Sequence, residues 1–354
     1  MTSFNIENRK IGDNEPAFII AEIGQNHNGD IDMALELISV AKKCGADCAK
    51  FQTFTPSAFL SEDKKFEYFS KGKKIIESEF ELLKRLRLSE SDWIKIKDHC
   101  KKEDIIFMTT IQDEVDLDLM MKLGITSIKK GSDDFNYLPN LINVAKTNLP
   151  LVLSKGMATE EEVDKVIKTL IPINSKISIM HCVSVYPAKP ELLNLKQILT
   201  LKKKYPEIIW GYSDHSIGNL ACTNAVALGA KVIEKHYTLD KKLEGPDHWF
   251  SMDPDELKQL VIDIRNTETS MGSGKVEITD DEQKSRDIMR RKIVASKNIK
   301  KGDVLTLNNV SFKRSVLGID VGEWDKVEGC EVNQSIDSNS GITKDKIIHN
   351  KDKD

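Results

Sequence analysis

The sequence predicts an α/β fold, a closed (β/α)8 barrel followed by a small β-rich domain, and three observations carry that prediction. Short apolar runs alternate with longer amphipathic ones from about residue 17 to residue 272. The short runs (AFIIAEIG, CAKFQT, IIFMTT, ITSIKKG, LVLSKG, ISIMHC, IIWGYSDH and VIEKHYT) lack a period of two, as parallel strands covered on both faces do. Eight strand–helix units in this length favour closure over an open doubly wound sheet. An open sheet would lead with a Gly-rich phosphate loop, and EIGQNHNGD matches neither G-x-G-x-x-G nor a Walker loop.

The elements between the strands follow in order. Ile31 to Lys43 repeats apolar residues at three and four, with Gly45 as its terminator. Residues 54 to 90 lengthen the loop after the second strand, first as a Lys/Glu-rich stretch and then as an amphipathic helix around Phe80 to Leu86. A long loop on the catalytic face of a barrel is expected to serve function. Thr159 with Glu162 forms a capping box, Asn219 begins an Ala-rich helix that ends at Gly229, and Pro254 opens another that runs to Gly272. The barrel domain is thus expected over residues 1–272 and a polar linker, SGKVEITDDEQKSRD, over 273–290. A small domain over 291–354 has short strands in KIVASKNIKKGDVLT and VSFKRS, and a charged tail, HNKDKD, expected to be disordered.

Composition narrows the function classes. The chain has 354 residues, a formal net charge of -4 and no basic field, so no nucleic-acid partner is expected. MTSFNIENRKIGDNEP lacks the apolar core of a signal peptide, and no apolar run approaches the roughly 20 residues of a membrane span. The six cysteines show no CxxC pair and fall on apolar segments, which suits reduced thiols in a cytoplasmic protein. Any anion site must be built locally.

In a barrel of this kind chemistry sits at the C-terminal ends of the strands. The residues found there are Glu22, Lys50 and Gln52, Thr109 and Thr110, Lys129, Lys130 and Ser132, Ser154, His181 with Ser184 and Tyr186 following, Ser213 to His215, and Lys235 with His236. Lys50 and Lys129 supply point charges, and Thr110, Ser132, Ser154 and Ser213 supply neutral donors. Such a ring suits a phosphate and a carboxylate together, because charge-assisted bonds are the stronger ones. Lys130 and Lys235 are expected to be solvated rim residues. His215 and His236 end consecutive strands at one depth, so their imidazoles can share a divalent ion whose other positions stay open to water and substrate. His181 is expected to make a structural hydrogen bond, and His27 lies in a loop with no partner nearby in sequence. Glu22, Asp134 and Asp247 are candidates for binding sugar hydroxyls or moving protons.

Taken in order and spacing, AEIGQNHNGD, AKFQTF, KKGS, LSKGMA, HCVSVYP, GYSDHS, EKHYTLD and GPDHWFS resemble the sialic acid synthase family, a TIM-barrel family. NIKKGDVLT followed by VSFKR is similar to that family's antifreeze-like (SAF) domain. The resemblance implies condensation of phosphoenolpyruvate with an N-acylated amino-sugar such as N-acetylmannosamine, giving a nine-carbon 3-deoxy-2-keto sugar acid and phosphate. It implies Mn2+ or Mg2+ on His215 and His236, with phosphoenolpyruvate on Lys50, Thr110, Lys129, Ser132, Ser154 and Ser213. Glu22, Gln52, Tyr186 and Asp247 would meet the sugar. Arg314 would reach the site of a partner subunit in a domain-swapped homodimer.

The departures cluster on the sugar side. Ser132-Asp133-Asp134 stands where the family usually reads S-G-E, Lys74 where it has Asn, Thr110-Ile111-Gln112 where T-P-F is frequent, and Ser315-Val316 where Pro-Gly follows. A legionaminate or pseudaminate synthase acting on a 2,4-diacetamido-2,4,6-trideoxyhexose is therefore the alternative. Synthases of octulosonate or heptulosonate phosphates would need a second basic cluster, for which only Lys73, Lys74 and Arg314 are candidates. A metal hydrolase would show H-x-H on the first strand, where Glu22-Ile23-Gly24 stands. A non-catalytic carbohydrate-binding protein is the reading from a different class.

Overall fold

The computed structural model describes residues 2–60 and 64–348 and falls into two compact units, Met1–Gly272 and Ser273–Asp354. In the first, eight parallel strands close into a barrel: β1 Phe18–Gly24, β2 Cys48–Thr53, β3 Ile106–Ile111, β4 Ile128–Lys130, β5 Leu151–Ser154, β6 Ile177–Cys182, β7 Ile209–Asp214 and β8 Val232–His236. The predicted (β/α)8 barrel is present, with β8 pairing back onto β1. Register brings chemistry together: Glu22 stands opposite Lys50 on one side and His236 on the other, and Thr110 stands opposite Lys129.

Side-chain parity divides the barrel into two cores. Outward residues such as Ile19, Phe51, Leu153, Trp210 and Ile233 pack on the surrounding helices. Inward residues, among them Phe18, Ile20, Cys48, Met108, Val152 and Val232, form a separate cluster. That cluster includes Phe4, Ile6 and Ile11 from an N-terminal hairpin, Ser3–Ile6 with Arg9–Gly12, which the sequence reading left unassigned. Its apolar residues cover the lower end of the barrel interior, so the upper end alone stays polar.

The helices start and stop where their caps lie. Asp30 accepts from the amides of Asp32 and Met33 to open Ile31–Cys44, and Gly45 ends that helix at a φ of 91°. Thr159 and Glu162 form a capping box on Glu160–Leu170, and Asp253 and Glu256 form another on Pro254–Met271.

Two stretches differ from expectation. The Lys/Glu-rich part of the long second loop forms a hairpin, Lys65–Ser70 with Lys73–Ser78, before the helix Glu79–Leu86. Lys71 and Gly72 turn it with φ of 50° and 74°, the mirror-image turn geometry that matches strand twist. Phe66 and Tyr68 alternate with Lys65 and Glu67, and the aromatic side packs on Phe54, Leu82, Leu83 and Leu86. The stretch 273–290 is not wholly linker: it holds the helix Asp280–Met289, opened by a Thr279–Glu282 capping box.

The second unit pairs Arg291–Ala295 with Val310–Arg314 and Glu331–Val332 with Ile347–Ile348 around Ile293, Leu305, Val332 and Ile342. The tail HNKDKD lies outside the described residues. No helix of the described chain is long and apolar enough to cross a membrane. All six cysteines are free and buried.

Candidate functional site

A cavity of about 640 Å³ opens at the C-terminal end of the barrel strands. Its floor is a buried charge network built from inward positions. Lys50 Nζ lies 2.6 Å from Glu22 Oε2 and 3.5 Å from Glu234 Oε2, and donates to Thr110 Oγ1 at 2.9 Å. Lys129 Nζ donates to Ser154 Oγ at 2.8 Å and stands 4.0 Å from Glu234 Oε1, which accepts from Ser213 Oγ at 2.9 Å. Gln52 Nε2 donates to Glu22 Oε1 at 2.9 Å.

Electrostatics follow from burial against these neighbours. Burial pushes the Glu22 carboxyl up to about 7, against the pull of Lys50. Burial also opposes the charge on Glu234, but Lys129 and Lys50 outweigh it and hold that carboxylate below its usual range. Burial lowers Lys129; for Lys50 it is overcome by Glu22 and Glu234, which raise it. The floor is therefore two ammonium groups held by buried carboxylates and hydroxyls, ready to exchange partners for an incoming anion.

Above the floor, the β5–β6 side is lined by hydroxyls. Ser132 Oγ accepts from the Gly156 amide at 3.0 Å, and Ser184 Oγ is buried without a partner. A Cβ at Gly156 would come within 2.3 Å of Ser184 Oγ and 2.6 Å of Ser132 Oγ, so only glycine leaves both hydroxyls in place. On the β7–β8 side His215 and His236 face the cavity with ring centroids 5.4 Å apart. His215 Nδ1 bonds the Val183 carbonyl at 2.8 Å, which leaves its Nε2 lone pair free. His236 Nδ1 is buried without a hydrogen bond, 3.7 Å from Asp247 Oδ2. Tyr186 stacks on His215 at 4.0 Å, and Phe250 meets His236 edge-on at 5.2 Å.

Of the residues singled out in the sequence, Glu22, Lys50, Gln52, Thr110, Lys129, Ser132, Ser154, Ser184, Tyr186, Ser213, His215, His236 and Asp247 all line this cavity. Asp134 does not; it pairs with Lys130 Nζ, and Asp133 faces the cavity instead. Lys130 and Lys235 are not rim residues. Both point outward between barrel and helices and are fully buried, Lys130 against Asp134 and Lys235 2.6 Å from Asp214 Oδ2. Thr109 likewise turns away and bonds Thr53. His181 bonds the Leu193 carbonyl at 2.6 Å. Arg314 belongs to the second unit, on Val310–Arg314.

The sequence reading missed Glu234, Cys182 and the hairpin face of Phe66 to Phe69, all of which line the cavity. Glu234 had a readable signal. It sits two residues before His236 on one strand, and residues two apart share a face.

Three histidines outside the cavity floor make an acid-stability prediction. Burial pulls His27, His181 and His248 each down to about 4 from 6.5. A neutral histidine whose folded pKa is depressed binds fewer protons folded than unfolded between those values. Its stabilisation is present above 6.5 and is lost as pH falls towards 4, by about 1.4 kcal/mol per pH unit per histidine. Glu22, raised to about 7, acts in the opposite sense over 4.5 to 7, so the net slope is a sum. The stability gap between wild type and His181→Gln isolates one contribution. It is expected to shrink steadily in urea titrations from pH 6.5 to 4; a constant gap would rule this out.

The family profile described as NeuB family matches residues 37–276, and that of the SAF domain matches residues 290–348. An uncharacterized protein of Methanocaldococcus jannaschii is 44% identical over 325 residues, covering 90% of this chain and 91% of its own. The N,N'-diacetyllegionaminic acid synthase of Legionella pneumophila is 37% identical over 347 residues, covering 95% and 97%. Among solved structures, an N-acetylneuraminic acid synthetase from Leptospira borgpetersenii superposes with a TM-score of 0.73 at 34% identity, over 81% of this chain and 97% of that one.

Proposed function

We propose, from the premise that this chain belongs to the NeuB family, that it joins phosphoenolpyruvate to an N-acylated amino-sugar aldehyde. The balanced reaction consumes one water: C3 of phosphoenolpyruvate bonds the aldehyde carbon, water oxygen enters at C2, and the phosphate leaves by C–O cleavage. The product is a nine-carbon 3-deoxy-2-keto sugar acid. The observation that carries this reading is the floor of Lys50, Lys129, Thr110, Ser154 and Ser213 beneath two cavity-facing histidines. Phosphoenolpyruvate presents a phosphate and a carboxylate, and the two lysines answer both.

The roles follow from the geometry. Lys50 and Lys129 would neutralise the anion, with the Thr110, Ser154, Ser132 and Ser184 hydroxyls orienting its oxygens. Glu22, with its carboxyl raised to about 7 beside Lys50, is suited to carry a proton near neutral pH. Glu234 positions both lysines and Ser213. Asp247 and Gln52 would bind hydroxyls of the acceptor.

The donor set also fits a divalent ion, Mn2+ or Mg2+. His215 presents Nε2, and His236 has a buried, unpartnered ring nitrogen beside Asp247. No group of three or more His, Cys, Asp or Glu side chains set to hold a metal occurs among the described residues. Two protein ligands would leave the ion's remaining positions for oxygens of water and acceptor. When bound, such an ion supplies Lewis-acid polarisation of the aldehyde. In this reading the active unit is a homodimer in which Arg314 of one protomer completes its partner's site. Mixing His215→Ala chains with Arg314→Ala chains should then restore partial activity.

The acceptor is N-acetylmannosamine or a 2,4-diacetamido-2,4,6-trideoxyhexose; the legionaminate synthase relative supports the second. Inorganic phosphate released from phosphoenolpyruvate, with Mn2+ and each acceptor in turn, tests the reading. Release that depends on one of these sugars is the expected result. No release with any acylated amino-sugar would sink it and favour a non-catalytic carbohydrate-binding role.

A further inference from the structure

We propose that Lys130 and Lys235, buried between the barrel and its helices, are positioning residues for the two halves of the site. Lys235 holds the backbone that carries His215 and His236, and Lys130 holds the backbone that carries Thr110, Lys129 and Ser132. This rests on the synthase reading above for the identity of the two ligands, a divalent ion and phosphoenolpyruvate.

Both lysines use one arrangement. Each stands at or next to the end of its strand and reaches back to the turn after the preceding strand. Lys235, on β8, has its Nζ 2.6 Å from Asp214 Oδ2 at the end of β7 and donates to the Ser216 carbonyl just beyond. Asp214 Oδ1 accepts from the Ser216 amide at 2.8 Å and from the Tyr212 hydroxyl at 3.0 Å. His215 lies between the two residues so held, and His236 directly follows Lys235. Lys130, on β4, donates from Nζ to the Ile111 carbonyl at 2.6 Å, to the Gln112 carbonyl at 3.2 Å and to Asp134. Ile111 directly follows Thr110 at the end of β3. The carbonyl of Lys130 itself accepts from Lys129 Nζ at 2.8 Å, which ties the floor ammonium group to the same backbone.

Packing does not account for these side chains. Their outward neighbours on the barrel, among them Phe51, Leu153, Trp210 and Ile233, are apolar. A well-packed apolar residue in place of a buried ion pair is often no less stable. What it lacks is a donor. Gln112 and Ser216 lie beyond the ends of β3 and β7, where the sheet ladder no longer serves their carbonyls. An ammonium group has three donors and can bind carbonyls and a carboxylate together. It thereby fixes the chain on either side of a site residue, where a shift of about 1 Å can cost about 10²-fold in function.

The two lysines serve as controls for each other. In full-length protein, Mn2+ binding is read by equilibrium dialysis and phosphoenolpyruvate binding by calorimetry, each without the other ligand. Lys235→Met is expected to raise the Kd for Mn2+ about tenfold, as loss of support for metal ligands does, and that for phosphoenolpyruvate less than about threefold. Lys130→Met is expected to do the reverse, about tenfold for phosphoenolpyruvate and less than about threefold for Mn2+. Should a single variant fail to fold, Lys235→Met with Asp214→Asn, and Lys130→Met with Asp134→Asn, leave no unpaired charge and should show the same split. A purely structural role would lower the thermal transition and move both ligands alike. That outcome, or unchanged binding of both ligands in folded variants, would overturn this inference. The split without phosphate release from any acylated amino-sugar would leave it standing and overturn the synthase reading. Wild type that binds neither ligand would overturn both.

Discussion

Replacing His236 with alanine is expected to lower kcat/KM for phosphate release about 10³-fold while the thermal transition stays close to that of the wild type. Polarisation of a carbonyl by a bound ion contributes several kcal/mol to the transition state, and about 4 kcal/mol corresponds to that loss. The fold should tolerate the change because the imidazole borders a cavity, and its Nδ1 makes no hydrogen bond that removal would orphan. His215→Ala should behave alike in activity but cost more stability, since it also breaks the Nδ1 bond to Val183 and the stacking on Tyr186. Equilibrium dialysis with Mn2+ gives a second readout, in which either variant should bind markedly less metal. Wild-type turnover and metal uptake in His236→Ala would show that the ligand is misassigned.

Lys50→Met should be destabilising by about 3–5 kcal/mol, the range for leaving a buried charge without its partner. Glu22 and Glu234 both approach Lys50 Nζ, and all three side chains are buried. Without the ammonium group, two buried carboxylates face one another, and one must take up a proton on folding. An acid whose folded pKa is raised stabilises at low pH and loses that contribution as pH rises through the folded value. The Lys50→Met deficit should therefore be larger at pH 8 than at pH 5.5. Adding Glu22→Gln removes one of the facing charges and should recover a good part of the loss, which a double-mutant cycle by urea denaturation measures. A deficit independent of pH, or no recovery in the double variant, would mean that Lys50 acts mainly through packing.

The barrel was readable because eight apolar runs with amphipathic partners leave few other architectures. The cavity ring was readable because strand ends in such a barrel converge on one face, so Lys50, Lys129, Ser213, His215 and His236 could be assembled without knowing a distance. Lys129 was placed in the ring and Lys130 outside it, but Lys130 and Lys235 are buried rather than solvated, and Glu234 was missed. Lys129 and Lys130 are adjacent and chemically alike, yet one points into the cavity and the other into the helix layer, where it takes Asp134 with it. Glu234 and Lys235 divide the same way. The hairpin over residues 65–78 was hidden by its Lys and Glu content, although Phe66 and Tyr68 alternate on one face.

Sequence alone thus determined the eight barrel strands, the helices between them that carry clear caps, and the types of residue at each strand end, because periodicity, capping and turn chemistry are local properties. It also carried the family resemblance that the comparisons bear out. Tertiary structure decided which of two neighbouring side chains reaches the cavity, which carboxylates neutralise which lysines, and which aromatic rings form the outer wall. Those depend on strand register and on contacts such as Phe69 with Trp249, made between residues 180 positions apart in the chain. No local pattern encodes a pairing of that range; it exists only once the barrel has closed and fixed the directions of its side chains.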